Sequence, residues 1–178
     1  MSYFDEMVKA MTWLGEQDDT HFLGQAVGCP GTAMYNTLKG VPDEKRTELP
    51  VFENTQLGMS FGMSLRGTIP ISIFPRWNFL LSATDQLVNH IDKVHLMLGQ
   101  PPPAGVIIRT GIGSQVPMHP SFQHIGDFSD AYREMLERVL ILRVHEAEDI
   151  FPEYQYAYEQ AKKGNSTILV EVSDKYNE

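Results

Sequence analysis

Six short apolar runs, at 21–27, 49–52, 69–74, 106–108, 139–142 and 167–172, set the main constraint on what this chain can become. Runs of this length bounded by turn residues, several of them rich in β-branched side chains, read as buried strands. The segments between them carry apolar residues at helical spacing. Phe4, Met7, Val8, Met11 and Leu14 mark a helix over 3–16 that starts at Ser2. Leu57, Phe61 and Leu65 mark a second over 54–66, and Leu87, Val88, Ile91, Val94 and Leu98 a third over 82–98. Further helices are predicted from about Ser129 and over 147–163, the latter ending at Gly164, with a helical turn at 34–38 and a surface loop at 41–48. Short strands alternating with amphipathic helices predict a three-layer α/β/α fold around a mostly parallel six-stranded sheet. Such sheets bind ligands at the carboxyl ends of their strands. That rim receives Glu53, the segment after Phe74, and the 110–127 loop, which is rich in Gly, Pro and His and long enough to suggest function.

Charge narrows the partners. Fourteen Lys and Arg against 23 Asp and Glu give a formal charge of -9, which repels polyanions and excludes a nucleic-acid role. No apolar run approaches the roughly 20 residues that span a bilayer, and the first residues are acidic, so a cytoplasmic location and no membrane are expected. Cys29 stands alone, which rules out an intrachain disulfide and fits a reducing compartment. With 178 residues and no internal repeat, a single domain over 1–178 is expected.

Several residues ask for an explanation. Gly58 and Gly62 lie within a helix, where each costs about 1 kcal/mol relative to Ala, so a close approach should require them. Glu53, judged by position alone, is first a carboxylate that favours a helix dipole by about 0.3–1 kcal/mol. His119 and His124 share an irregular loop with no Cys or carboxylate at ligand spacing, so no metal site is expected there. His90 and His95 read as structural, and Arg109 at a strand end as a surface ion pair.

Taken in order, Glu53 after a short strand, the helix bearing Gly58 and Gly62, Asn78-Phe79, and Asp85-Gln86-Leu87-Val88-Asn89 resemble a known pattern. The pattern is the pyrimidine-binding domain of the transketolase-like thiamin-diphosphate enzymes, closest to the β-subunit of 2-oxoacid dehydrogenases and the C-terminal half of split transketolases. Phe22-Leu23-Gly24 and Ile141-Leu142-Arg143-Val144 with Thr167-Ile168-Leu169-Val170-Glu171 fit the family's first and last strands, so the resemblance spans nearly the whole chain. It implies that Glu53 is the acid that hydrogen-bonds the cofactor's pyrimidine nitrogen, with apolar Phe52, Leu57 and Phe61 around it favouring the protonated form. It further implies that Phe79, with Trp77 or Phe74, stacks on the pyrimidine, that Leu57 lines it, and that His119 and then His124 face the substrate.

The family's Gly-Asp-Gly…Asn signature is missing, since Gly126-Asp127-Phe128 lacks the second glycine. By the resemblance, a diphosphate-binding subunit would then hold the magnesium and the charged end of thiamin diphosphate. This chain, with neither that domain nor the C-terminal transketolase domain, would work as a homodimer or hetero-oligomer. Its reaction on a small carbonyl substrate would be 2-oxo acid decarboxylation and dehydrogenation, or ketol transfer. A non-catalytic interaction subunit that keeps the fold is the alternative. Two departures stand out: Gln25 where many β-subunits have Glu, and Asn54-Thr55-Gln56 where the family has a small residue.

Overall fold

The computed structural model describes residues 2–113, 115 and 119–177. Six strands, β1 (Thr20–Gly24), β2 (Arg46–Glu48), β3 (Ile69–Phe74), β4 (Ile107–Ile112), β5 (Leu140–Val144) and β6 (Thr167–Val172), form one sheet in the order β2-β1-β3-β4-β6-β5. Every neighbouring pair is parallel, as the strand-helix alternation led one to expect. All six residues of β3 are buried, because helices cover both faces of the sheet at this central strand.

One face carries α1 (Tyr3–Gly15), α2 (Ala33–Asn36) and α7 (Ala147–Ala161), packed on Phe22, Ile71, Ile73, Ile107 and Leu169. The other carries α3 (Glu53–Ser64), α4 (Trp77–Leu80) and α6 (Ser129–Met135), packed on Phe74, Ile108, Ile168 and Val170, and α5 (Val94–Leu98) follows Ile91 of the same layer. Ile73 and Phe74 point to opposite layers, as the two-residue period of a strand requires. Ser2 caps α1 by accepting the Asp5 N–H at 3.1 Å.

Three local expectations are corrected. The strand expected at 49–52 lies earlier, at Arg46–Glu48, inside the stretch read as a surface loop. Pro50 has no N–H to give a ladder, and Val51 and Phe52 are 70% and 66% exposed, so this apolar run cannot be a buried strand. The helix expected over 82–98 is broken into a 3₁₀ turn at Leu81–Ala83, a π-helical turn at Gln86–Ile91, and α5, which ends at Gly99 in the left-handed region with φ 68°. Among the described residues Gly58 and Gly62 make no close approach: a Cβ at Gly58 would be an ordinary 3.5 Å from Gln86 Oε1, and one at Gly62 would meet nothing within 4 Å.

After the π turn, the fully buried Asp92 ties the broken helix to the entry of β5. Its carboxylate accepts the backbone N–H groups of Glu137, Arg138 and Val139 at 3.1, 2.8 and 3.0 Å, and Lys93 Nζ lies at 2.9 Å. Burial alone would raise this carboxyl, but these bonds outweigh burial and hold it below its ordinary value. Asp92→Asn is expected to lower stability by about 1.5–3 kcal/mol at neutral pH in urea unfolding. A depressed folded value means that this contribution is fully present above the unfolded pKa of about 3.9. The gap between wild type and variant should therefore close as pH falls through the folded value.

Among the described residues no helix is long and apolar enough to cross a membrane.

Candidate functional site

The chain leaves β1 towards β2 on one side of the sheet, and leaves β3 towards β4 on the other. Adjacent parallel strands whose connections diverge in this way open a crevice at their carboxyl ends. Glu53 stands at this rim, half-buried in the first turn of α3. Gln25, the first residue after β1, donates its Nε2 to Glu53 Oε1 at 3.2 Å, while its backbone N–H donates to Ile73 O at 3.3 Å.

The floor of the crevice is tightly fitted. Gln56, buried in α3, donates Nε2 to Ser72 Oγ at 3.1 Å and to Ile73 O at 2.9 Å, which fastens the helix to the end of β3. Gly24 makes room for it. With φ 134°, a Cβ at this position would lie 2.3 Å from Ile73 O and 2.5 Å from Gln56 Nε2, so only glycine serves. Gln56 Oε1 is buried without a hydrogen-bond partner among the described residues. As a residue type Gln56 signalled only a departure from the family's pattern, and its role emerges from the register of α3 against β3.

Phe79 in α4 is half-buried, and its ring meets that of His124 edge-on with centroids 5.5 Å apart. The loop carrying His124 is pinned to α4 and the residue before it. Arg76 Nη1 donates to His124 O at 3.2 Å, and the Gly126 N–H donates to Asn78 Oδ1 at 3.1 Å. His119 is exposed; its Nδ1 accepts the Ser121 N–H at 3.1 Å and its ring lies 5.5 Å from that of Phe122, itself 86% exposed. His124 thus turns toward Phe79 while His119 packs with Phe122. Val116, Pro117 and Met118, which precede His119 in the motif, lie outside the described residues.

Other expected site residues lie deeper. Trp77 is fully buried with its ring edge-on to Tyr132 at 5.6 Å, and Leu57 and Phe74 are also fully buried. These side chains back the crevice from the core and have no exposed face in this chain, whereas Phe79 is only half-buried. Arg109 is no surface residue either. It is fully buried and forms a bidentate pair with Glu171, Nε to Oε1 at 2.5 Å and Nη2 to Oε2 at 3.0 Å. Among the described residues no trio of His, Cys, Asp or Glu is grouped to hold a metal ion.

No family model matches the sequence. The chain is 31% identical over 140 residues to the mitochondrial pyruvate dehydrogenase E1 component subunit beta of Saccharomyces cerevisiae, covering 76% of this chain and 37% of that protein. It is 27% identical over 136 residues to the corresponding subunit of Caenorhabditis elegans, covering 74% of this chain and 38% of that protein. It therefore spans little more than a third of the length of these curated relatives. Among solved structures, a split-gene transketolase in the form of an inactive β4 tetramer superposes with a TM-score of 0.68 at 17% identity, over 96% of this chain and 51% of that one. The first comparison is one of sequence and the second of fold, and both bear out the resemblance to the transketolase-like pyrimidine domain.

Proposed function

We propose that this relative of the pyruvate dehydrogenase E1 β-subunits is the pyrimidine-binding subunit of a split thiamin-diphosphate-dependent enzyme, acting on a small carbonyl substrate. One observation carries the reading. Gln25 holds one oxygen of Glu53 at the mouth of the crevice, and Glu53 Oε2 takes no hydrogen bond from the described residues. A carboxyl group fixed at one oxygen and open at the other suits a proton shared with a ring nitrogen.

The residues present fit the pyrimidine end of the cofactor and not its charged end. Glu53 would hold a proton at Oε2 toward the ring nitrogen, and the half-exposed Phe79 would give the ring a flat apolar support. His124, against Phe79, and His119 would bind or move a proton on the substrate. When bound, thiamin diphosphate supplies the reactive thiazolium carbon and the amino group that serves as its base. The diphosphate and its magnesium would be held by a partner subunit with a Gly-Asp-Gly…Asn motif. The exposed Val51 and Phe52, next to Glu53, suit that seat, because exposed apolar side chains beside the crevice favour a covering partner. The open outer face of α3, with Met59 and Leu65 exposed beside Gly62, suits a second copy of the chain, giving a hetero-oligomer.

The test is a calorimetric titration of thiamin diphosphate with magnesium into an equimolar mixture of this chain and a Gly-Asp-Gly…Asn protein. Saturable binding that neither chain gives alone is expected; a mixture that binds nothing overturns the proposal. In the same assay Phe79→Ala should weaken binding about two- to tenfold through the lost ring contact.

A further inference from the structure

Glu48, the last residue of β2, reaches across to the loop that follows β1. Its carboxylate accepts three successive backbone donors, the N–H groups of Ala26, Val27 and Gly28, at 3.2, 2.7 and 2.6 Å. The loop is bent around it. Ala26 sits in the left-handed region at φ 59°, which a residue with a side chain adopts only when something holds it there. Gly28 leaves little spare room, since a Cβ there would come within 3.1 Å of Glu48 Cβ. The Leu49 N–H donates to Gly24 O at 2.9 Å, so the end of β2 is also tied to the last residue of β1. Three converging N–H groups form an anion-binding concavity, and here the anion is the protein's own carboxylate.

Gln25 lies between Gly24, which is fixed by the sheet, and Ala26, which is fixed by Glu48. We propose that Glu48 is a positioning residue of the candidate site: by clamping residues 26–28 it sets the direction from which Gln25 Nε2 reaches Glu53 Oε1. The inference rests on the reading of Glu53 as the group that meets the cofactor, and extends the site to a residue that touches neither. Glu48→Gln keeps the shape but turns one acceptor oxygen into a donor facing N–H groups. Glu48→Ala removes the clamp, and Gln25 then loses its fixed approach.

Two measurements test this, the first on the chain alone. In wild type, Glu53→Gln should shift the NMR signal of the Gln25 side-chain amide, because the two groups are bonded. In a Glu48→Gln or Glu48→Ala background the same substitution should leave that signal in place. A Gln25 signal that responds equally with and without Glu48 overturns the proposal, and Glu48→Gln answers the question if Glu48→Ala does not fold. The second uses the mixture with a Gly-Asp-Gly…Asn partner. There Glu48→Gln should weaken thiamin-diphosphate binding by about twofold or more, and cause no further loss when Gln25→Ala is already present. Purely additive losses overturn the positioning role. A wild-type mixture that binds no cofactor overturns the proposed function instead, and the amide measurement then judges Glu48 by itself.

Discussion

Glu53→Gln is expected to slow exchange of the thiazolium proton about 10²–10⁴-fold in the two-chain mixture, the range by which a positioned acid or base speeds proton transfer. The substitution preserves size and can keep the bond at the Oε1 position, because the amide oxygen still accepts from Gln25 Nε2, now at 3.2 Å from Glu53. What it removes is a proton that can be given up and taken back at the other oxygen position. Binding of the cofactor should therefore change far less than its activation, a split that a merely structural carboxylate would not produce. The measurement is hydrogen–deuterium exchange at the thiazolium carbon, followed by NMR on wild-type and variant mixtures. Equal exchange rates would remove Glu53 from the activating role while leaving the fold and the partner untouched. Unfolding of the isolated variant chain should move little, since Glu53 is only half-buried and adds no more than a modest helix-dipole term.

Arg109→Met should be the most damaging single change to stability. Arg109 and Glu171 are both fully buried, and the hydroxyls of Tyr154 and Tyr176 donate to the same carboxylate. Burial by itself would pull the Arg109 guanidinium down, but Glu171, with Tyr176 and Tyr154 beside it, reverses this and holds it above its ordinary value. Burial and the same carboxylate push both tyrosines well up. Removing the arginine strands a buried carboxylate, a loss of about 3–5 kcal/mol. In a chain of this size that corresponds to a fall in Tm of about 6–20 °C, readable by calorimetry. Arg109→Met combined with Glu171→Leu should recover much of the loss, because it is the unpaired charge that is costly. A single variant that melts within 2 °C of wild type, taking about 2–4 °C per kcal/mol as the scale, would show the pair to be dispensable.

What could be seen in the sequence follows from which interactions are local. The helix over 3–16 and the strands at 69–74 and 167–172 fall where spacing puts them, because a capping serine and runs of Ile and Val carry their own signal. Glu53 and Phe79 were singled out by the order of several weak motifs, and the fold puts Glu53 at the crevice rim and Phe79 against His124. The strand Arg46–Glu48 was not legible, because polar side chains form it through backbone pairing with β1 while the apolar run next to it carries the stronger strand signal. Arg109 read as exposed because burying a guanidinium depends on a carboxylate 62 positions away. The full burial of Trp77 against Tyr132 was not legible either, because a contact between residues 55 positions apart leaves no trace in local spacing. Glu48 carried no signal at all: a surface glutamate that serves three backbone N–H groups looks like any other.

The strand order has a bearing on how the chain reaches this state. On its far side β4 pairs with β6, and β5 pairs with β6 and nothing else in the sheet, so two strands made early must wait for 167–172 to slide between them. Tyr3 adds a second delay, since its hydroxyl accepts the Val172 N–H at 3.1 Å and donates to Val144 O at 2.8 Å. Contacts that join such distant positions make for slow folding. During synthesis on the ribosome β1 to β4 can pair before 167–172 is made, whereas β5 gains its partner only with β6, which leaves the far edge of β4 and the edges of β5 open to chaperones or to another chain until then.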